Sequence, residues 1–203
     1  MVYSCRDAKT RDLEQIVNCH MASFPGHFMT EMGSTWLAGL YGYFISHPQG
    51  LKVVVEDEYG SVCGFAFGGD RAIRSEFLNK AVLRYFYIIL VKFFTKKMVR
   101  TKMTAEFFSR IRHLGRKNRK NYLNSKCGNL LSICVYPSYR GIGISGKLIE
   151  SFKIKAADSG YEKITLTVES DNFRAIRFYE KNGWRTITKS YDSRSMELCL
   201  MSS

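Results

Sequence analysis

The chain has 203 residues, 45% of them hydrophobic, and 31 Lys plus Arg against 18 Asp plus Glu give it a net charge of +13. That length suits a single domain, 1–203, with a sizeable core. The opening Met1-Val-Tyr-Ser-Cys-Arg-Asp has no basic run followed by an apolar one, so no signal peptide is expected. Cys5, Cys19, Cys63, Cys127, Cys134 and Cys199 show no paired spacing, which points to reduced thiols in a cytoplasmic protein. His20, His27, His47 and His113 form no metal spacing with them, and no metal is expected.

In chain order, residues 2–6 predict a first strand. Thr10 caps a helix that runs through Ser23 with Leu13, Ile16, Val17 and Met21 inward. A loop from Phe24 to Gly33 leads to a helix over 34–45 carrying Trp36, Leu37, Leu40, Tyr41 and Phe44, which Pro48 and Gly50 terminate. Strands over 51–56 and 61–67 flank the turn Asp57-Glu58-Tyr59-Gly60.

The segment 71–126 is different. It holds sixteen Lys and Arg against Glu76 and Glu106, a surplus of +14 that leaves −1 for the rest of the chain. From Phe77 to Lys97 the residues Val82, Leu83, Phe86, Ile89, Leu90 and Phe93 make an apolar arc at helical spacing. Charges at 80, 84 and 92 keep it far short of the roughly 20 apolar residues a spanning helix needs. A second helix over 104–113 and a basic loop over 115–121 complete a helical insertion. The arc packs on the domain or on a second subunit to form a homodimer, or else 77–120 lies on an anionic membrane surface at the inner face. The aromatics are not interleaved as base-stacking platforms, so nucleic acid is not expected.

Leu130, Leu131, Ile133, Cys134 and Val135 predict a buried strand ended by Pro137. Arg140-Gly141-Ile142-Gly143-Ile144-Ser145-Gly146 then turns into a helix with Leu148, Ile149, Phe152 and Ile154 at helical spacing. Free N–H groups at a helix start, reached through glycines, suit a phosphate or pyrophosphate. The P-loop pattern is excluded because Leu148 follows Lys147, whereas the Gly-x-Gly-x-x-Gly spacing of dinucleotide sites is met, and the residues alone leave that choice open. A strand from Ile164, a helix through Tyr179, and strands over 185–190 and 195–201 finish the chain.

Arg140-x-x-Gly143-x-Ser145 after Val135-Tyr-Pro137 resembles the acyl-CoA loop of the GCN5-related N-acetyltransferases, and 164–184, with Asn172-x-x-Ala175-x-x-Phe178-Tyr179, is similar to the next strand and helix of that family. Ser145 stands where the family prefers Gly or Ala. The resemblance implies an α/β (α+β) fold, a mixed and mostly antiparallel central sheet flanked by helices, interrupted here by the basic insertion at 71–126. It also implies acetyl-CoA as acyl donor and transfer to a primary amine in a ternary complex, with no metal. The acceptor expected is a small molecule, with an anionic amino sugar, nucleotide-linked or lipid-linked, among the candidates given the basic insertion. The pantetheine arm would run along Ile133, Cys134 and Val135, the pyrophosphate would meet N–H groups from Arg140, Gly141, Ile142, Gly143, Ile144, Ser145 and Gly146, and Asn172 would bond the cofactor. Tyr179 matches the acid that protonates the leaving thiolate. No carboxylate lies in 129–135, and Glu31, His27, Asp70, Glu169 or a water chain are the alternatives for a base. The competing reading is a non-catalytic CoA-binding or membrane-surface protein with the same fold.

Overall fold

A computed structural model describes residues 2–97, 100–101 and 126–200, with Val82 and Leu83 described by backbone alone. Its strands are β1 (Ser4–Asp7), β2 (Gly50–Glu56), β3 (Val62–Gly69), β4 (Cys127–Val135), β5 (Lys163–Glu169), β6 (Arg185–Lys189) and β7 (Ser193–Cys199). Its helices are α1 (Leu13–Ser23), α2 (Phe28–Met32), α3 (Ser34–Ser46), α4 (Arg71–Arg84), α5 (Phe86–Thr95), α6 (Ile144–Asp158) and α7 (Phe173–Lys181). The strands form one mixed sheet in the order β1-β2-β3-β4-β5-β7-β6, antiparallel throughout except for β4 and β5. That is the sheet flanked by helices that the resemblance implies.

Strand alternation divides the core into two layers. Val54, Phe65 and Phe67 face α1, α3 and α4, where they meet Ile16, Leu37, Tyr41, Phe44 and Phe77. Val53, Val55, Cys63 and Ala66 face α6, where Leu148, Ile149 and Phe152 are fully buried. At the sheet's edge Arg6 binds both Asp12 and Glu56, which fixes β1 against the start of α1. In the β2–β3 hairpin Asp57 Oδ1 accepts from the Tyr59 and Ser61 N–H groups at 3.0 and 2.9 Å, an Asx turn within the predicted connection.

Three expectations need correction. The Phe24–Gly33 loop contains the short helix α2. Thr10 opens a 3₁₀ turn over Thr10–Asp12 before α1 begins at Leu13. The helix expected over 77–97 is broken at Tyr85, which leaves helical geometry at φ −113°, ψ 18°. The cause is tertiary: the Tyr85 ring packs edge-on against Trp36 at 5.7 Å, and its hydroxyl end fills the space left by Gly39, where a Cβ would collide with it. The break turns the expected apolar arc, so that Ile88, Ile89 and Phe93 are half-buried while Phe86 and Leu90 face outward. The helix expected over 104–113 and the loop over 115–121 lie outside the described residues.

Candidate active site

β4 and β5 pair only through Cys127–Asn129 and Lys163–Thr165. That closed end is held by Asn129 Nδ2 donating to the Thr165 carbonyl at 3.0 Å, Thr165 Oγ1 donating to the Gly128 carbonyl at 3.2 Å, and Arg71 from α4 donating to Thr165 Oγ1 at 2.9 Å. Beyond it the two strands part, leaving 130–135 paired with β3 on one side only. Along that stretch Leu131 has no β3 partner, because the register steps from Gly68↔Leu130 to Phe67↔Ser132. This β-bulge resets the alternation, sending Leu130, Ile133 and Val135 toward α6 and Leu131 and Cys134 toward α1 and α3.

The parted strands open a cleft of about 960 Å³ lined by residues from both layers of the fold. On one face lies the start of α6. Gly141 and Gly143 hold φ of 86° and 88°, in the left-handed region where a Cβ is costly, and neither has a heavy atom within 4 Å of where a Cβ would sit. The N–H groups of residues 141–146 have no backbone or side-chain acceptor among the described residues; the first helical bond is from Lys147 N–H to the Gly143 carbonyl at 3.2 Å. Six successive amides at a helix N-terminus, joined by the positive end of the helix dipole, make a strong anion cradle. Arg140, Gly141, Ile144 and Ser145 line the cleft, whereas Ile142, Gly143 and Gly146 shape the turn beside it. Arg140 folds back so that its Nε donates to the Val135 carbonyl at 3.3 Å, where Ser23 Oγ also donates at 3.1 Å. Both sides of the Val135 carbonyl are thus already engaged.

Tyr179 reaches the same cleft from α7. Its ring packs against Phe178 and Trp184 at 5.4 and 5.7 Å, only 9% of the residue is exposed, and no described residue bonds its hydroxyl. Burial pushes the phenol above its ordinary range, so it stays protonated at neutral pH. Asn172 has a structural duty that the sequence did not show: its Oδ1 caps α7 by accepting from the Ala175 N–H at 3.0 Å. It also lines the cleft.

On the opposite face, strand alternation puts Thr165, Thr167 and Glu169 on the side away from Ile164, Leu166 and Val168. Glu169 there approaches His27 from the α1–α2 connection, Oε1 to Nδ1 3.9 Å, and both line the cleft. Of the four side chains expected as alternative bases, these two come together. Glu31 is ion-paired with Lys96 at 2.9 Å, and Asp70 caps α4 by accepting from the Ala72 N–H at 2.7 Å. Beneath them His20 Nδ1 bonds the Tyr41 hydroxyl at 2.7 Å, and burial, with His27 second, lowers the His20 pKa to about 4. Cys19 Sγ and Cys134 Sγ sit 3.6 Å apart in the floor of the layer, both buried, and the shared hydrogen bond and burial push the Cys19 thiol up. Among the described residues no group of three or more His, Cys, Asp or Glu could hold a metal.

The family model described as "Acetyltransferase (GNAT) family" matches residues 13–184. The chain belongs to that family. Among curated relatives, the uncharacterized N-acetyltransferase YjcF of Bacillus subtilis is 32% identical over 62 residues, 30% of this chain, and the match spans 42% of that protein's length. Among solved structures, the PaiA N-acetyltransferase of Thermoplasma acidophilum in complex with coenzyme A aligns over 98% of this chain and 99% of its own at a TM-score of 0.62 and 15% identity. The ribosomal-protein-S18-alanine N-acetyltransferase of Escherichia coli aligns over 100% and 96% at 0.61 and 15%. At such identities these two show a shared fold.

In this acetyltransferase fold, reading the sequence missed the contribution of α2 to α5. Met29 and Met32 of α2, Trp36 of α3, Phe77 and Leu78 of α4 and Ile89 of α5 wall the end of the cleft opposite the α6 cradle. α4 is anchored there by Phe77 edge-on to Trp36 at 5.3 Å, and α5 by the Lys96–Glu31 ion pair to α2. The sequence signal was present in the inward arc of α4 and α5, but their target could not be read before the break at Tyr85 was known.

Proposed function

We propose that this acetyltransferase moves an acyl group from acetyl-CoA to a primary amine by direct attack within a ternary complex. The observation that carries the reading is the run of amides over residues 141–146, without an acceptor among the described residues, at the mouth of the cleft that also holds the open edge of β4 and Tyr179. Coenzyme A fits these groups: its diphosphate is the anion a helix N-terminus and a glycine turn favour, and its pantetheine arm carries amides able to pair with the open edge of β4 at Ile133 and Cys134. In this reading Arg140 to Ser145 cradle the diphosphate, with Gly146 completing the turn, and the free Asn172 amide group faces the same ligand. Acetyl-CoA supplies an activated thioester, so much of the protein's task is positioning.

His27, with Glu169 orienting its imidazole, takes the proton from the acceptor ammonium. Nitrogen attacks the thioester carbonyl, the C–N bond forms, the C–S bond breaks, Tyr179 protonates the departing sulfur, and the second proton lost by the nitrogen restores the Tyr179 phenol. A main-chain N–H on the open edge of β4 stabilises the oxyanion. An amino sugar is one acceptor of the right reactive group. His27→Gln tests the base: amine-dependent thiol release should fall about 100-fold, the usual scale of general-base loss, with the Kd for CoA within twofold. Unchanged turnover would remove His27 from the reaction.

A second reading adds a peripheral contact with an anionic membrane. α5 exposes Phe86, Tyr87, Leu90, Val91 and Phe94, and the segment around it carries the +14 surplus, a combination that suits the boundary of an acidic lipid surface. No helix among the described residues is long and apolar enough to cross a membrane. Co-sedimentation with phosphatidylglycerol-containing vesicles should exceed that with pure phosphatidylcholine, and the double variant Phe86→Glu, Phe94→Glu should lose it. Equal recovery with both vesicle types would end this reading, and a dimer that dissociates in the variant would assign the face to a second copy.

A further inference from the structure

The cleft passes through the gap between β4 and β5, so its two ends lie on opposite faces of the sheet. The end beside α6 is polar and built from main-chain amides. The other end is walled by Met29, Met32, Trp36, Phe77, Leu78 and Ile89, apolar side chains supplied by four separate helices. Met32, Trp36 and Phe77 are 3%, 5% and 4% exposed, so this wall is fixed by the core and does not depend on surface rotamers.

Two features restrict what such a lobe can take. Its uncharged polar groups are fewer than the hydroxyls of a sugar: Asn79 and Ser132 line the cleft, His20 is held neutral by burial, and His20 Nε2 and the Trp36 indole N–H are buried without a hydrogen-bond partner among the described residues. A polyhydroxylated acceptor would leave several of its hydroxyls unpaired there, which costs affinity. Charge sets the second limit. Arg74 and Arg174 line the cleft, so an acceptor with additional ammonium groups is repelled. His27 and Glu169 mark where one amine is received.

We propose that the acceptor is a primary monoamine on an aliphatic or aromatic body, with the body held in the lobe between α2, α3, α4 and α5 and the amine presented to His27 and Glu169. This rests on the acetyl-transfer reading above and narrows its substrate class. The product is the N-acyl amide with free CoA thiol, and no further reactant is needed.

The test is thiol release from acetyl-CoA with butylamine, hexylamine, phenethylamine, glucosamine and spermidine, beside calorimetric titration of CoA. Hexylamine should exceed butylamine in kcat/KM by about fifteenfold, since each of its two additional buried methylenes is worth about fourfold, and phenethylamine should exceed glucosamine and spermidine by at least tenfold. Ile89→Asp should lower kcat/KM for hexylamine at least tenfold, and the milder Leu78→Asn should lower it in the same direction, both with CoA affinity within twofold of wild type as proof of folding. Glucosamine or spermidine as the best acceptor would overturn the proposal. So would equal rates for butylamine and hexylamine, or a gain with octanoyl-CoA that Ile89→Asp abolishes, which would give the lobe to the acyl chain. Absence of CoA binding is a separate outcome that removes the acetyl-transfer reading and this proposal with it.

Discussion

Tyr179→Phe should lower kcat by about 100-fold or more, the scale expected when a general acid is deleted, while the Kd for CoA changes less than twofold. The separation follows from where the side chain sits. Its ring is held by Phe178 and Trp184, contacts that phenylalanine keeps, and its hydroxyl bonds no described residue, so removing the oxygen costs the fold little. Stability should stay within about 0.5 kcal/mol, as for substitutions that leave packing intact. The pH profile gives a second check. Because burial raises the phenol above its ordinary value, the acid form persists as pH rises, and kcat should show no loss from phenol ionisation up to about pH 10, the reference value for a free tyrosine. A thiolate leaving into the same desolvated pocket is also made more basic, which keeps the proton transfer matched. Full activity in Tyr179→Phe, measured by thiol release, would take the acid role away.

Ser145→Leu should weaken CoA binding at least 100-fold without unfolding the protein. Ser145 sits in the first turn of α6, where leucine is a good helix former, and it lines the cleft. A branched side chain there covers the amides of Gly143 to Gly146. Losing two hydrogen bonds to a charged phosphate, each worth about 1.5–3 kcal/mol, accounts for the size of the effect. The neighbouring Gly146→Ala is the control. Gly146 is helical, has open space around a Cβ and keeps its N–H as alanine, so alanine should stabilise by about 0.5–1 kcal/mol with a far smaller change in CoA affinity than Ser145→Leu. Calorimetry and thermal melts read both. Equal CoA affinity in Ser145→Leu and wild type would move the diphosphate elsewhere.

The regular part of this fold was legible because its signals are local. The apolar run ended by Pro137, the glycines before Ile144 and the helical spacing of Leu148, Ile149 and Phe152 each specify conformation within a few residues, and β4, the turn and α6 lie where they predict. What could not be read depends on partners far apart in sequence. Tyr85 interrupts a helical pattern because Trp36 and Gly39, more than 40 residues earlier, receive its ring. Leu131 becomes a bulge only against the register of β3. Asn172, expected to bond the cofactor, spends its carbonyl oxygen on capping α7. The base is the clearest case: four candidates were indistinguishable in the sequence, and β5 alternation together with the α1–α2 connection brings His27 and Glu169 within 3.9 Å while Lys96 takes Glu31 and α4 takes Asp70. Glu169 alone carried a usable local signal, its parity on β5 opposite to Ile164, Leu166 and Val168.

The mechanism as a whole depends on residues 141–146 presenting their N–H groups to the diphosphate of the acyl donor. Amide chemical shifts of the ¹⁵N-labelled protein, followed during titration with CoA and separately with pantetheine, measure this directly. Shifts at Gly141 to Gly146 that appear with CoA and are absent with pantetheine, which lacks the diphosphate, are the predicted result. CoA binding that leaves those six amides unmoved would contradict it.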